Sequence, residues 1–454
     1  MTTVAVARQR EFPALGRETI RRVTWRLMPI VVLGYFCAYL DRTNVGMAAP
    51  TMTVDLGFSN AVFGFGAGIF YLGYFLAEIP SNLLLNKIGA RIWIARILIT
   101  WGIISGLTAF VWNDWSFHII RFLLGVAEAG FFPGMLLYLT WWYPERYSSR
   151  MIAILYTAAA GSKIIGPPIS GFILWMDGLL GMHGWQWLYL LEGLPAVLTC
   201  FVTWWLLTDR PAEADWLRPD QKAWLIGQLD DERREREAQR KYSLRESFTD
   251  RKVWLLSLAY HTHSAAGALL MFFMPLIVQR GLGVSTNWIG TVSAIPYVFA
   301  LVGMLVYSWN SDRTGERVWH TIVGWVLGAA AMAATVLIAP DQPMLMMLAL
   351  IVATTTNQAC AAVFWAIPSA LMTGAAAAVS LAMINSIGQL GGWFGPWIYG
   401  WIRDVSGSDR VALLCTAPGL IISCFALLGA VNDRWFTRTP AGSSHEQEAM
   451  PHAR

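Results

Sequence analysis

From Gln342 to Ile402 the chain runs without a single Asp, Glu, Lys or Arg. At about 1.5 Å per helical residue, such a stretch is far longer than the roughly 30 Å hydrocarbon core of a bilayer. It is too long for one helix and suits two, with the break near Pro368 to Gly374. Backbone groups in lipid find no water, so a spanning segment must satisfy its own hydrogen bonds, which helices do. The whole chain follows suit, at 56% hydrophobic and 14% charged. A soluble domain is nearer a quarter charged, so this is an integral membrane protein. Its 24 Trp suit the bilayer interfaces, where a flat ring with one polar edge fits best.

Apolar runs of spanning length fall at about 26–48, 61–83, 92–112, 116–143, 148–175 and 185–208, and again at about 253–279, 286–309, 318–339, 343–366, 375–401 and 410–431. The expected organisation is a cytoplasmic N-terminal segment (1–25), a six-helix bundle (26–208), a charged linker (209–252), a second six-helix bundle (253–431) and a cytoplasmic tail (432–454). The linker holds 11 basic and 11 acidic residues. Trp224, Leu225 and Leu229 recur in it at helical spacing, which predicts a soluble amphipathic helix. Lys87 and Arg91, Arg146 and Arg150, Arg313 and Arg317, the linker, and Arg434 with Arg438 belong to one side. By the positive-inside rule both termini are cytoplasmic. No short apolar segment with a small-residue cleavage site stands at the start, so no cleaved signal peptide is expected.

Cys37, Cys200, Cys360, Cys415 and Cys424 lie in apolar spans without metal-like spacing and read as small core residues. No nucleophile–base pair, metal-ligand cluster or phosphate-cradling loop stands out, so neither enzyme chemistry nor a cofactor or metal is expected. The basic residues cluster at predicted cytoplasmic loops, which excludes nucleic acid as the reason for the net charge of +4.

The two halves repeat each other. Asn86-Lys87-Ile88-Gly89-Ala90-Arg91 closes the second run and Asp312-Arg313-Thr314-Gly315-Glu316-Arg317 the eighth. Gly166-Pro167-x-x-x-Gly171 and Gly395-Pro396-x-x-x-Gly400 lie in the fifth and eleventh, at almost the same offset. Glycine permits the sharp reversal in the first motif, and close packing with local bending in the second.

Charge inside the spans is uneven. Every residue from Leu27 to Leu40 is uncharged, then Asp41 and Arg42 arrive side by side, about 20 Å from Arg26. Ionisable groups at that depth are costly and mark a substrate or ion path. Glu78, Arg121, Glu128, Lys163 and Glu192 follow, all in the first half. The second half offers His261, His263 and neutral polar groups such as Asn385 and Gln389, four apart on one helical face. Arg121 and Glu128 are seven apart, hence also on one face. Two acids and two arginines sum to zero charge, so an added anion is compensated only if a carboxyl also binds a proton.

The twelve runs, the charged linker and the glycine turns resemble the major facilitator superfamily. The finer pattern is similar to its anion:cation symporter family. It is carried by Tyr39-Leu40-Asp41-Arg42-x-Asn44, Glu78-Ile79-Pro80-Ser81-Asn82-Leu83 and Arg121-Phe-x-x-Gly125-x-x-Glu128-Ala-Gly-x-x-Pro133-Gly134. Phe364-Trp365-Ala366-Ile367-Pro368, Asn385-Ser386-Ile387-Gly388 and Gly391-Gly392 extend it, over residues 20–430. Asn86 departs from the Asp usual in the superfamily, which weakens the expected first-half gate.

The resemblance implies an all-α fold of twelve transmembrane helices in two six-helix halves. It further implies proton-coupled import of a small organic anion, an aromatic or hydroxy carboxylate, by a monomer in a bacterial inner membrane. Asp41 and Glu128 would handle the proton, with Arg121 as a partner or a structural residue, and Arg42 would clamp the carboxylate. Tyr39 and Tyr74 match substrate-contact positions, although Tyr74 also reads as a core aromatic. Lys163 binds a second anionic group or pairs with Glu128 or another acid. Asn385 and Gln389 would bind a hydroxyl or second carboxylate. Lys87, Gly89, Arg91, Asp312, Arg313, Gly315 and Arg317 would gate. An exporter or exchanger of the same fold, and a membrane substrate sensor, are the alternatives.

Overall fold

The computed structural model describes residues 14–237, 249–338, 341–371 and 375–431, which are helical throughout apart from short connections. The predicted N-terminal segment before residue 14, part of the linker, the far side of the break at Gly374 and the tail with Arg434 and Arg438 lie outside the described residues. In order the helices are α1 (Ala14–Asp55), α2 (Asn60–Ile88), α3 (Ala90–Leu107), α4 (Asp114–Glu128), α5 (Phe131–Thr140), α6 (Glu145–Leu174), α7 (Gly184–Leu206) and α8 (Pro219–Glu237). They continue as α9 (Arg251–Leu282), α10 (Ile289–Thr314), α11 (Val318–Ala334), α12 (Pro343–Phe364), α13 (Ala366–Leu371), α14 (Ala375–Gln389), α15 (Gly391–Ser406) and α16 (Asp409–Val431).

Ten of the described stretches are long and apolar enough to cross a bilayer, and α11 is a shorter apolar helix. The broken pair α14–α15 covers the remaining predicted run. Three of the twelve predicted runs are thus interrupted: α4–α5 at Ala129–Gly130, α12–α13 at Trp365, and α14–α15 at Leu390. The first break has a visible cause. Gly130 adopts φ +83°, and a Cβ there would sit 2.4 Å from the Ser81 hydroxyl. Only glycine fits both the conformation and the contact.

Within the first half α1 packs on α6 and α7, α2 on α4, and α3 on α7; in the second, α9 packs on α14, α15 and α16, and α12 on α10 and α11. The halves meet along α2–α15, α6–α10 and α1–α9. These contacts concentrate at the end of the bundle opposite to where α1 begins. A Cβ on Gly290 would fall 2.0 Å from the Pro167 carbonyl, on Gly64 2.2 Å from that of Pro396, and on Gly400 2.1 Å from that of Asn60. Both repeated Gly-Pro motifs therefore build the seam between halves. Asp404 locks it, accepting from the backbone N–H groups of Asn60 (3.0 Å) and Ala61 (2.7 Å) at the start of α2. A carboxylate on the orphan donors of a helix N-terminus is a cap, here supplied from the opposite half. Arg280 adds a bond to the Asn60 side chain at 2.9 Å.

Gly290→Val is expected to wedge this seam. Overpacking costs about 1–3 kcal/mol, a shift of roughly ten- to a hundredfold away from the closed far end. Alkylation of a cysteine placed at Ser293, 2% exposed in the closed seam, should accelerate accordingly, and an unchanged rate would contradict the packing argument.

At the basic end the two glycine turns are built alike but held differently. Gly315 has φ +68° and Gly89 φ +104°. Arg317 pairs with Asp312 and donates to Ser311 at 2.9 Å, while Glu316 accepts from the N–H groups of Trp319 and His320. In the first half Asn86 is exposed, and the acid comes from elsewhere: Asp209 accepts from the Arg91 N–H at 2.7 Å and fills the space beside Gly89. Arg91 and Arg313 lie 5.8 Å and 5.5 Å from the ring centres of Trp204 and Trp309, and Lys87 is exposed. The linker helix appears as α8, with Leu225 buried and Arg218 paired to Glu18 of α1 at 2.9 Å. Four cysteines are buried as expected of core residues, but Cys415 is exposed on α16. Its side chain points off the bundle because a lipid-facing thiol loses nothing by leaving the core.

Candidate functional site

The centre of the first half is assembled by glycines. On α4, a Cβ at Gly125 would meet the Phe70 carbonyl at 2.0 Å; on α2, one at Gly73 would meet the Phe122 carbonyl at 2.3 Å. Small residues let the two backbones touch. The close approach, followed by the break after Glu128, leaves that carboxyl at the end of α4 facing α1. There Arg42 donates from Nε at 3.0 Å and from Nη2 at 2.5 Å, both to Oε1 of Glu128. Glu128 is 1% exposed and the Arg42 side chain 11%. The other oxygen, Oε2, is buried without a hydrogen-bond partner.

Aromatic rings surround the pair. The Arg42 guanidinium carbon lies 5.2 Å from the centre of Tyr39, 5.3 Å from Phe70 and 5.5 Å from Tyr74. Ring faces attract the cation while excluding water, which strengthens the ion pair they enclose. Lys163 of α6 is half-buried, with Nζ 5.3 Å from the centre of the same Tyr39 ring.

Asp41 faces the other way. It is 2% exposed and accepts from the Trp101 indole at 3.0 Å, from Asn44 at 3.0 Å, and from the Ser105 hydroxyl. Adjacent helical residues point about 100° apart. The two neighbours are therefore divided: Asp41 turns to Trp101 and Ser105 of α3, Arg42 to Glu128 of α4. Nor do Arg121 and Glu128 form the ion pair. Arg121 is 1% exposed, donates to the Ala67 carbonyl at 3.4 Å and lies 5.3 Å from the Phe70 ring. Seven residues put two side chains on one face but about 10 Å apart along the axis, so the partner comes from a neighbouring helix instead.

The remaining candidates are accounted for as follows. Glu192 is buried and 2.6 Å from the Ser170 hydroxyl. Glu78 accepts from Ser386 of the second half at 3.5 Å. His261 bonds the Ile387 carbonyl at 3.0 Å; His263 is buried and accepts from Trp325 at 3.0 Å. Both histidines are therefore satisfied within the second half. Tyr260 stacks on Phe364 at 5.5 Å and meets Trp365 edge-on at 4.9 Å. Asn385 and Gln389 are half-buried on α14, and the structure forms no hydrogen bond between them and Arg42 or Lys163. Among the described residues no group of three or more metal-ligating side chains is present.

Twelve predicted runs, two halves meeting along matched glycine seams, and a buried ion pair at their middle suit a membrane carrier. The profile of the Major Facilitator Superfamily matches residues 31–396. The chain belongs to this superfamily. Within it, a protein of Agrobacterium vitis named as a tartrate transporter is 44% identical over 415 residues, covering 91% of each chain. A quinolone resistance transporter of Acinetobacter baumannii is 40% identical over 397 residues, covering 87% of this chain and 91% of its own. The superfamily fold is seen again in a crystal structure of a bacterial homologue of the human lysosomal transporter Spinster. It superposes with a TM-score of 0.74 at 17% identity, over 89% of this chain and 96% of that one. The chain is accordingly a membrane transporter of the superfamily and not an enzyme.

Sequence reasoning missed the capping acids Asp209 and Asp404 and the donors around Asp41. Asp209 and Asp404 did carry a signal: each is an acid at the very end of an apolar run. Trp101 and Ser105 carried none, since four residues apart in an apolar helix is also the pattern of ordinary packing.

Proposed function

We propose that the chain imports a small organic anion together with a proton, by alternating access between its two halves. The observation that carries this reading is the ion pair of Arg42 with one oxygen of Glu128. A substrate carboxylate competes with Glu128 for the same guanidinium, whose planar fork matches either acid. Once displaced, Glu128 is a buried carboxylate without its counter-charge, and it takes up a proton. Substrate and proton are thereby bound together or not at all. Asp41, its oxygens occupied by three donors from α1 and α3, is held apart from the exchange on Arg42. Tyr39 and Tyr74 form the walls. Asn385 and Gln389 supply neutral polar contacts from the second half, once the substrate bridges the two.

In this reading the basic end faces the cytoplasm, with both termini there, and the sealed far end faces outward. The molecule works as a monomer in a bacterial inner membrane, opening alternately at the Gly89 and Gly315 turns and at the Asp404 cap. Lys87, Arg91, Arg313, Asp312 and Arg317 hold the inner gate. Support for an organic acid comes from the relative named for tartrate. The relative named for quinolone resistance favours a second reading, an exporter or exchanger of the same fold.

Uptake into liposomes separates the two. With an inward proton gradient, radiolabelled hydroxy and aromatic acids should accumulate and a protonophore should abolish accumulation. Accumulation only under the opposite gradient would favour export, and indifference to any gradient would refute proton coupling.

A further inference from the structure

We propose that Lys163 and Arg42 together bind the two carboxylates of one small dianion, so that the substrate class is the dicarboxylates. This rests on the anion reading above and deepens it.

Lys163 is an unusual charge. It lies about 27 Å from the start of α6 and about 16 Å from its end, too deep for its stem to reach either lipid surface. Burying an ammonium group is costly, and a carboxylate partner is the ordinary remedy. Among the described residues none lies within 4.0 Å. Its ammonium group stands over the Tyr39 ring, and a ring face offsets only part of the cost of burying a charge. A charged Lys163 thus has no acid of the described residues beside it, and an anionic ligand is the counter-charge that fits there.

The second cation stands on the same ring. Arg42 and Lys163 lie 5.2 Å and 5.3 Å from the centre of Tyr39. Charge-assisted N–H···O contacts are about 2.8 Å long. The two heads are therefore no more than about 10.5 Å apart, within the reach of the two carboxylates of one short dianion. The charges match as well. While Glu128 occupies Arg42, that pair is neutral, and Lys163 stands beside it on the Tyr39 ring with no acid paired to it. When a substrate displaces Glu128 and the carboxyl takes a proton, two positive charges face the ligand. A monoanion leaves one of them bare, and a dianion leaves none. The second half, uncharged from Gln342 to Ile402, adds no competing cation from its tenth and eleventh spans.

The test uses matched acids that differ in one carboxylate, tartrate against threonate and phthalate against benzoate, in proteoliposomes under an inward proton gradient. The intact protein should prefer the dicarboxylate in at least one pair by tenfold or more in KM. Lys163→Met should reduce that preference to near parity by raising KM for the dicarboxylate far more than for the matching monocarboxylate, and Lys163→Arg should restore most of it. Parity or a monocarboxylate preference in both pairs would overturn the proposal. So would a preference that survives Lys163→Met, or an equal loss for both acids, since the lysine would then serve Glu128 or the fold. These outcomes leave gradient-driven uptake intact. Loss of gradient dependence, or no uptake of any of the four, strikes the symport reading itself and the proposal with it.

Discussion

Glu128→Gln should abolish gradient-driven accumulation while leaving exchange. The amide is shaped like the protonated acid and cannot give up a proton, so it presents Arg42 with the neutral partner that substrate binding otherwise creates. Binding then no longer requires proton uptake. For one-proton coupling at zero membrane potential, a gradient of one pH unit is worth about 1.4 kcal/mol, or roughly tenfold accumulation of a singly charged acid. The variant should reach about equal concentrations inside and out, yet still swap labelled for unlabelled substrate. Its substrate affinity should be flat with pH. The parent's should fall as pH rises, because its binding takes up a proton and alkaline conditions oppose that. Concentrative uptake retained in full would remove Glu128 from the mechanism.

Arg42 carries the second large effect, and two substitutions separate its roles. Arg42→Lys keeps a charge but replaces the planar fork, which places two donors on one Glu128 oxygen, by a point charge. Substrate affinity should fall by at least tenfold with the protein still folded. Arg42→Met goes further and leaves Glu128, 1% exposed, without a counter-charge. Breaking a buried pair from one side costs about 3–5 kcal/mol. Thermal unfolding in detergent should show a large loss for Arg42→Met and substantial recovery in Arg42→Met with Glu128→Gln, where no lone charge remains. Equal loss in the single and double variants would mean that the pair contributes packing and little else.

Most of the fold could be read in advance because lipid imposes a single rule, uncharged stretches about 20 residues long, and the chain obeys it almost everywhere. The exceptions are instructive. Gly130, Trp365 and Leu390 interrupt runs that composition alone shows as continuous, since a broken helix buried in protein needs no charge to mark it. The site was legible as a set and not as a wiring. Their positions inside apolar runs singled out Asp41, Arg42 and Glu128. Which way each turns depends on lateral neighbours, and those are set by Gly73 and Gly125 bringing α2 against α4. Helical spacing paired Arg121 with Glu128; the ion pair instead joins α1 to α4. Asn86 pointed to a weakened gate, but Asp209, from just beyond α7, stands where the α3 N-terminus needs an acid. A sequence motif records its own residues, not a substitute supplied from another part of the chain.

The central claim is that substrate replaces Glu128 on Arg42 and that Glu128 then binds a proton. Proton uptake on adding substrate to the purified protein in weakly buffered detergent measures this directly. The account predicts uptake of about one proton per substrate bound, and none in Glu128→Gln even though substrate still binds. Stoichiometric binding by the parent protein with no change in free proton concentration would contradict it.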